Sequence, residues 1–342
     1  YSITGPTIIA IANGTGGYLT STNSDQVLTD WPMFGFDTQH THFNPNENVL
    51  NPTNVSTLTL DWSYTTNSYI RSSPVVVNGV IYIASSSGTL YAFNAITGTM
   101  LWNHNIGFYT DSSPAVANGI VYIGSDDYHL YALNATTGAI LWTYMAQMYI
   151  ETPPLVANGI VYVGSDDYHL YALNATAGTL LWSFSAGNYI DASPTIANGI
   201  VYVGSYDSKL YALDAATGAL VWSYTTGASV TTDSPAVVNG IVYIGSNDNK
   251  LYALDAATGA LVWSYTTGNG FNFSAPAVAN GVVYIGSSDD KLYAFNASTG
   301  TLLWNYTTGD YIDASLAVVN GIVYIGSFDS KLYAFHLPGT AS

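Results

Sequence analysis

Seven of the eight tryptophans fall on a ruler, at Trp62, Trp102, Trp142, Trp182, Trp222, Trp263 and Trp304, with intervals of 40, 40, 40, 40, 41 and 41 residues. A period of this size specifies like units that cannot bury their apolar faces singly and must pack on their neighbours. Any residue present in every unit is explained first by the unit. Specific function has to be sought where the units differ.

One unit runs from Ser113 to Trp142, SPAVANGIVYIGSDDYHLYALNATTGAILW. Small residues at Ala115 to Ala117 predict a short first strand, closed by Asn118-Gly119, the pair that best tolerates a two-residue hairpin turn. Ile120 to Gly124 and Leu130 to Asn134 are β-branched and aromatic runs, and Thr137-Gly138 turns the chain into a fourth strand bearing Trp142 and Tyr144. Four antiparallel strands per 40 residues predict a propeller blade. Asn-Gly recurs seven times at the phase of Asn118-Gly119, but the Gly138-type turn only six. The seventh unit stops after its third strand near Tyr333, while a spare Trp strand, Leu58 to Thr66, sits at the other end. The arithmetic predicts an all-β, seven-bladed β-propeller whose last blade is closed by the Trp62 strand, which removes two exposed edges. The expected divisions are an arm over 1–30, a lead-in over 31–57 and the propeller over 58–342.

The 22 acidic residues against five basic ones give a net charge of −17, which repels nucleic acid and anionic membrane surfaces. Without cysteine there is no disulfide or thiolate metal site, and no apolar run reaches the roughly 20 residues of a membrane span. A start at Tyr1 rather than Met suggests an exported, extracellular or cell-surface protein. Sequons at Asn13, Asn54, Asn134, Asn174, Asn272, Asn296 and Asn305 permit glycosylation.

The string Leu210-Tyr-Ala-Leu-Asp-Ala-Ala-Thr-Gly-Ala-Leu-Val-Trp222 resembles the repeat of the pyrroloquinoline-quinone-type propellers, and it recurs at Leu90, Leu130, Leu170, Leu251 and Leu292. Trp31-Pro-Met-Phe-Gly-Phe-Asp37 resembles the lead-in of secreted members. The resemblance implies the fold. It includes quinoprotein alcohol dehydrogenases as well as non-enzymatic relatives such as the outer-membrane assembly lipoprotein. The dehydrogenases resemble one another in having eight blades, vicinal cysteines, a calcium held by carboxylates and basic residues on the cofactor. This chain has one arginine, Arg71, and no cysteine, so a degenerate quinoprotein enzyme is the weakest reading and no cofactor is expected.

The units differ most in the loop between blades. Three residues before the repeat proline, or its Leu316 counterpart, stand Arg71, Asp111, Glu151, Asp191, Thr232, Phe273 and Asp313. Two residues earlier stand Tyr69, Tyr109, Tyr149, Tyr189, Val230, Phe271 and Tyr311. This predicts acids and aromatics around one mouth of the channel, a candidate site for a carbohydrate or cation; the bland alternative is loop solvation and packing between blades. Asp127, Asp167, Asp207, Asp248, Asp289 and Asp329 share one turn position and read as turn caps. His129 and His169 follow in two blades, and His40-Thr-His42 is a lone His pair; both are weak metal signals.

The first thirty residues stand outside the repeat. Ile3, Ile8, Ile9 and Ile11 form a β-prone apolar patch, Asn13 to Gly17 a turn, and Tyr18 to Thr22 a candidate returning strand. Such an arm can add to a neighbouring molecule, and a head-to-tail contact generates an open chain. The leading expectation is a non-catalytic extracellular scaffold, joined into a filament or surface layer through this arm. Its partners would be itself, other surface proteins or glycans.

Overall fold

The computed structural model describes residues 8–12, 17–21, 27–28, 32–38, 62–231, 234–271, 274–319 and 322–335. Ile3, Asn13, Trp31, His40, His42, Asn54, Thr232, Asn272 and Phe273 lie outside them. Every described element is a strand or turn. The first blade consists of β4 (Val75–Val77), β5 (Val80–Ser85), β6 (Thr89–Asn94) and β7 (Met100–Asn105), after the N-terminal strands β1 (Ile8–Ala12), β2 (Gly17–Ser21) and β3 (Val27–Leu28). The same four-stranded antiparallel sheet recurs from β8 (Ala115–Ala117) to β11 (Ile140–Met145), from β12 (Leu155–Ala157) to β15 (Leu180–Ser185), and from β16 (Thr195–Ala197) to β19 (Leu220–Thr225). It recurs again from β20 (Ala236–Val238) to β23 (Leu261–Thr266) and from β24 (Ala277–Ala279) to β27 (Leu302–Thr307). A three-stranded sheet follows, β28 (Ala317–Val319), β29 (Ile322–Ser327) and β30 (Lys331–Phe335). The molecule is an all-β propeller of PQQ-like repeats.

The repeat residues explain this sheet. Asn118 and Gly119 both take positive φ, 52° and 76°, the pair of values a type I′ hairpin needs. Ala132 lies opposite Tyr122 on one side and Trp142 on the other. Its small side chain lets those rings meet across the sheet at 5.9 Å. A bulge after Ala132 recurs in each four-stranded blade, where it bends the outer edge.

The same rings then join one blade to the next. Tyr122 Oη and Trp142 Nε1 each donate to the carbonyl of Ala175 in the following blade, at 3.0 Å. Equivalent pairs converge on Ala135, Ala215, Ala256 and Ala297. The turn aspartates do more than cap. Asp167 Oδ1 accepts from its own turn at His169 N (3.1 Å), while Oδ2 accepts from Tyr171 Oη (2.7 Å) and from Gln147 N of the preceding blade (2.8 Å). Asp207, Asp248, Asp289 and Asp329 hold the preceding blade's outer strand in the same way. These aspartates are latches between blades, a role their turn position alone does not disclose.

The first strands lie side by side, β4 with β8, β8 with β12, β16 with β20, β20 with β24 and β24 with β28, and so line the space inside the array. The lead-in enters that space. Val116 N of β8 donates to Pro32 O and Ile196 N of β16 to Thr38 O, both at 2.8 Å. Met33 is buried in the core shared by the second to fourth blades. A turn through Gly35 and Phe36, both at positive φ, lets seven residues cross from one inner strand to the other.

Trp62 sits on the first blade as Trp102, Trp142, Trp182, Trp222 and Trp263 sit on the blades that follow theirs. Its indole lies against Gly98 and donates to Ala95 O at 3.2 Å. The expected partner of this segment, β30, pairs only with β29 among the described residues. Leu332 is accordingly 76% exposed, whereas its six counterparts are fully buried. In the arm, Ile8–Ala12 pairs antiparallel with Gly17–Ser21, one residue earlier than the returning strand expected at Tyr18 to Thr22, and Val27–Leu28 adds a third strand.

Candidate functional site

The between-blade loops and the turns joining second to third strands meet on one face, called the upper face here. The loop tyrosines are fixed by their backbones: Asp126 N donates to Tyr109 O (3.0 Å), Asp166 N to Tyr149 O (3.1 Å) and Tyr206 N to Tyr189 O (3.0 Å). The loop acids reach instead towards the preceding blade. Ser86 Oγ donates to Asp111 Oδ1 at 3.1 Å, and Ser288 Oγ to Asp313 Oδ1 at 3.0 Å. Both contacts span 25 residues, which identifies the turn position facing each loop acid.

The same offset places Asp126 opposite Glu151 and Asp166 opposite Asp191, so at two consecutive junctions the serine donor is replaced by a second carboxylate. The electrostatics reflect this. Burial, aided by Asp126, Asp166 and Asp111, pushes Glu151 up to about 7. Burial, aided by Glu151 and Asp166, pushes Asp191 up to about 8. Asp126 rises to about 6 and Asp166 is also raised, with burial the first cause in each. Asp126 Oδ1 is buried with no hydrogen-bond partner.

The acids and aromatics expected around the mouth are unevenly distributed. The structure gathers Asp111, Glu151 and Asp191 with Asp126 and Asp166. Arg71 is tied to Asp111 at 3.0 Å, Tyr109 Oη reaches the same carboxylate at 3.3 Å, and Tyr69 is 83% exposed. Tyr311 stacks on Phe328 at 4.5 Å, and Asp313 keeps its serine partner. Tyr149 and Tyr189 lie tilted against Tyr128 and Tyr168 at 5.4 and 5.3 Å, and Tyr189 meets Tyr206 edge-on at 5.9 Å. Tyr128, Tyr168 and Tyr206 carry no mark in the sequence until this register is known.

The remaining candidates are placed as follows. His129 and His169 turn Nδ1 back to the carbonyls of Asp127 and Asp167, each at 2.9 Å. Among the described residues no three His, Asp or Glu side chains are arranged to hold a metal ion. Asn134 Oδ1 accepts from Thr136 N, Thr137 N and Thr137 Oγ1, and Asn174 and Asn296 cap the same turn. Asp214 and Asp255 do this in the blades without asparagine. The position selects an acceptor oxygen, so these sequons follow from the turn. Asn305 is exposed on β27.

The raised carboxyls fix the sign of a pH dependence. Each binds its proton more tightly folded than unfolded, so stability falls as pH rises between the ordinary carboxylate range and about 8. The lowered groups, Asp214, Asp255 and Asp329, act below that window. Tm is expected to be higher at pH 5 than at pH 8, with a smaller difference in the Asp126→Ser/Asp166→Ser variant. Calorimetry across this range checks it, and a variant with an unchanged slope would refute the assignment.

Residues 97–233 and 225–340 match the family described as outer membrane protein assembly factor BamB, together covering more than half the chain. Residues 31–112 match the β-propeller domain of glucose, ethanol and alcohol dehydrogenases. Among solved structures, BamB from Moraxella catarrhalis is 22% identical with a TM-score of 0.72, over 82% of this chain and 86% of that one. The computationally designed Ika8 protein is 18% identical with a TM-score of 0.62, over 80% and 97%. A europium-containing methanol dehydrogenase is 15% identical with a TM-score of 0.65, over 89% of each. At these identities the structures share the fold alone, and no curated protein matches the chain. The two overlapping matches along the repeats show that this chain belongs to the PQQ-like repeat propeller family described by outer membrane protein assembly factor BamB.

Proposed function

We propose that the chain is a non-catalytic scaffold of the cell surface or extracellular space, built as a closed ring of seven blades and acting through contacts with other proteins. The observation that carries this reading is the lead-in crossing the channel. Pro32 to Thr38 bonds to the inner strands of the second and fourth blades, with Met33 buried between them. The repeated tyrosines, tryptophans and turn aspartates are engaged between blades. The matched family is described as an assembly factor, a role exercised on other proteins.

Ring closure rests on Trp62, which occupies on the first blade the place of a preceding blade's outer-strand tryptophan. The segment around it is the strand that β28–β30 lacks. A quinone cofactor does not fit this chain. Arg71, its one arginine, is paired with Asp111, and the upper face opposite the second to fourth blades is lined by carboxylates that repel a polyanion. The alternative of a metal-cation receptor is opposed because, among the described residues, no three of these acids converge as metal ligands.

Self-assembly through the arm is the specific form of the scaffold reading. β1 lies at the edge of its small sheet, with only β2 beside it, and an open edge can add a strand from a second molecule. Two measurements test these readings separately. Incubation with quinone, calcium, an alcohol and a redox dye should give no turnover; quinone-dependent dye reduction would end the non-catalytic reading. Deleting residues 1–30 should shorten or abolish assemblies seen by electron microscopy, and unchanged assemblies would end the role of the arm.

A further inference from the structure

We propose that the upper face across the second to fourth blades docks a lysine- or arginine-bearing segment of a partner protein. This deepens the scaffold reading and rests on it. Two departures from the repeat coincide at this sector, and each costs stability. At the other two junctions that carry a loop acid a serine faces it, Ser86 at Asp111 and Ser288 at Asp313, whereas here the chain sets Asp126 towards Glu151 and Asp166 towards Asp191. In the same two blades the left-handed turn position carries tyrosine. Tyr128 and Tyr168 hold φ at 75° and 74°, where other blades place Gly88, Ser208, Asn249, Asp290 and Ser330. A bulky side chain is a genuine outlier there. Departures of this kind persist where function requires them.

Both departures build one surface. The rings form two groups, Tyr128 tilted against Tyr149 at 5.4 Å, and Tyr189 between Tyr168 at 5.3 Å and Tyr206 at 5.9 Å; Tyr149, Tyr168 and Tyr189 are 37–42% exposed. The carboxylates lie close to Tyr206, and the cation at the margin of the cluster, Arg71, is tied to Asp111. Lysine follows the latch aspartate in the last four blades, at Lys209, Lys250, Lys291 and Lys331, whereas the second and third blades place His129 and His169 there.

Charge complementarity selects the occupant. Ionised carboxylates offer acceptors only, which suits guanidinium and ammonium groups, whose heads are all donors. Such cations also gain from a tyrosine face within about 6 Å. A carbohydrate needs donors as well as acceptors, and a metal ion needs a convergent oxygen set that these residues do not form.

The test is fluorescence anisotropy of labelled octa-arginine with the full chain at pH 8. Two double variants each remove two charges and install residues the repeat already uses. Asp126→Ser with Asp166→Ser should weaken binding at least tenfold. Asp214→Asn with Asp255→Asn, on the opposite face, should change it less than twofold. Tyr128→Gly with Tyr168→Gly, following Gly88, should weaken binding several-fold at unchanged net charge. No binding by the parent chain would overturn the proposal, as would equal losses in both acid variants, the signature of non-specific attraction. Either result leaves the dye-reduction and deletion outcomes untouched, so failure here is distinguishable from failure of the scaffold reading.

Discussion

A chain carrying Leu332→Cys and Tyr64→Cys should oxidise to an intramolecular disulfide and then unfold well above the temperature of its reduced form. The register comes from the repeat. Leu130 faces Tyr144, Leu210 faces Tyr224 and Leu292 faces Tyr306 across the third and fourth strands. The corresponding partner of Leu332 is Tyr64, two residues beyond Trp62. Directly opposed residues in an antiparallel pair lie within the reach of a disulfide. The bond would close a loop of most of the chain, for which restriction of the unfolded state gives on the order of 5 kcal/mol. With no native cysteine, no competing pairing confuses the result. Non-reducing electrophoresis and melting with and without reductant decide it. Free thiols in the folded protein would refute closure within the ring, and disulfide-linked oligomers would assign the strand to a second molecule.

The second large effect is expected at Gly178. It combines φ +69° with a Cβ position only 2.6 Å from the Trp142 ring. Gly178→Ala therefore meets two costs: a left-handed conformation worth about 1–2 kcal/mol, and overpacking worth about 1–3 kcal/mol against a ring fixed to Ala175. We expect a loss of about 2–5 kcal/mol in urea unfolding. Gly119→Ala isolates the first term, since Gly119 has φ +76° but nothing within 4 Å of its Cβ, and about 1–2 kcal/mol should be lost there. Equal losses at the two sites would show that the tryptophan yields, and that the glycine is not required by contact between blades.

The blades were legible because their determinants are local and repeated. Asn118-Gly119 dictates a turn wherever it stands, and a tryptophan every 40 residues requires a neighbour of its own kind. The upper face was legible only in part. The loop series containing Glu151 and Asp191 stood out by its variation, but Asp126 and Asp166 read as ordinary turn acids. Only the contacts of Ser86 and Ser288 fix the 25-residue offset that sets them opposite the loop acids. Tyr128 was silent for a similar reason, since a positive φ at tyrosine contradicts local preference and propensity cannot announce it. The lead-in was legible as a segment outside the repeat. Its crossing from β8 to β16 was not, because two carbonyls, at Pro32 and Thr38, make the connection without a side-chain signature.

That crossing decides how the molecule carries tension. A pull on the N-terminal sheet reaches Pro32 to Thr38 before any outer strand of a blade. It is met by hydrogen bonds to two different blades and by Met33 wedged between them. The load passes to the inner strands of two separate blades, and does not peel an outer strand one bond at a time. A subunit strung to its neighbours by such an arm would be anchored at its axle.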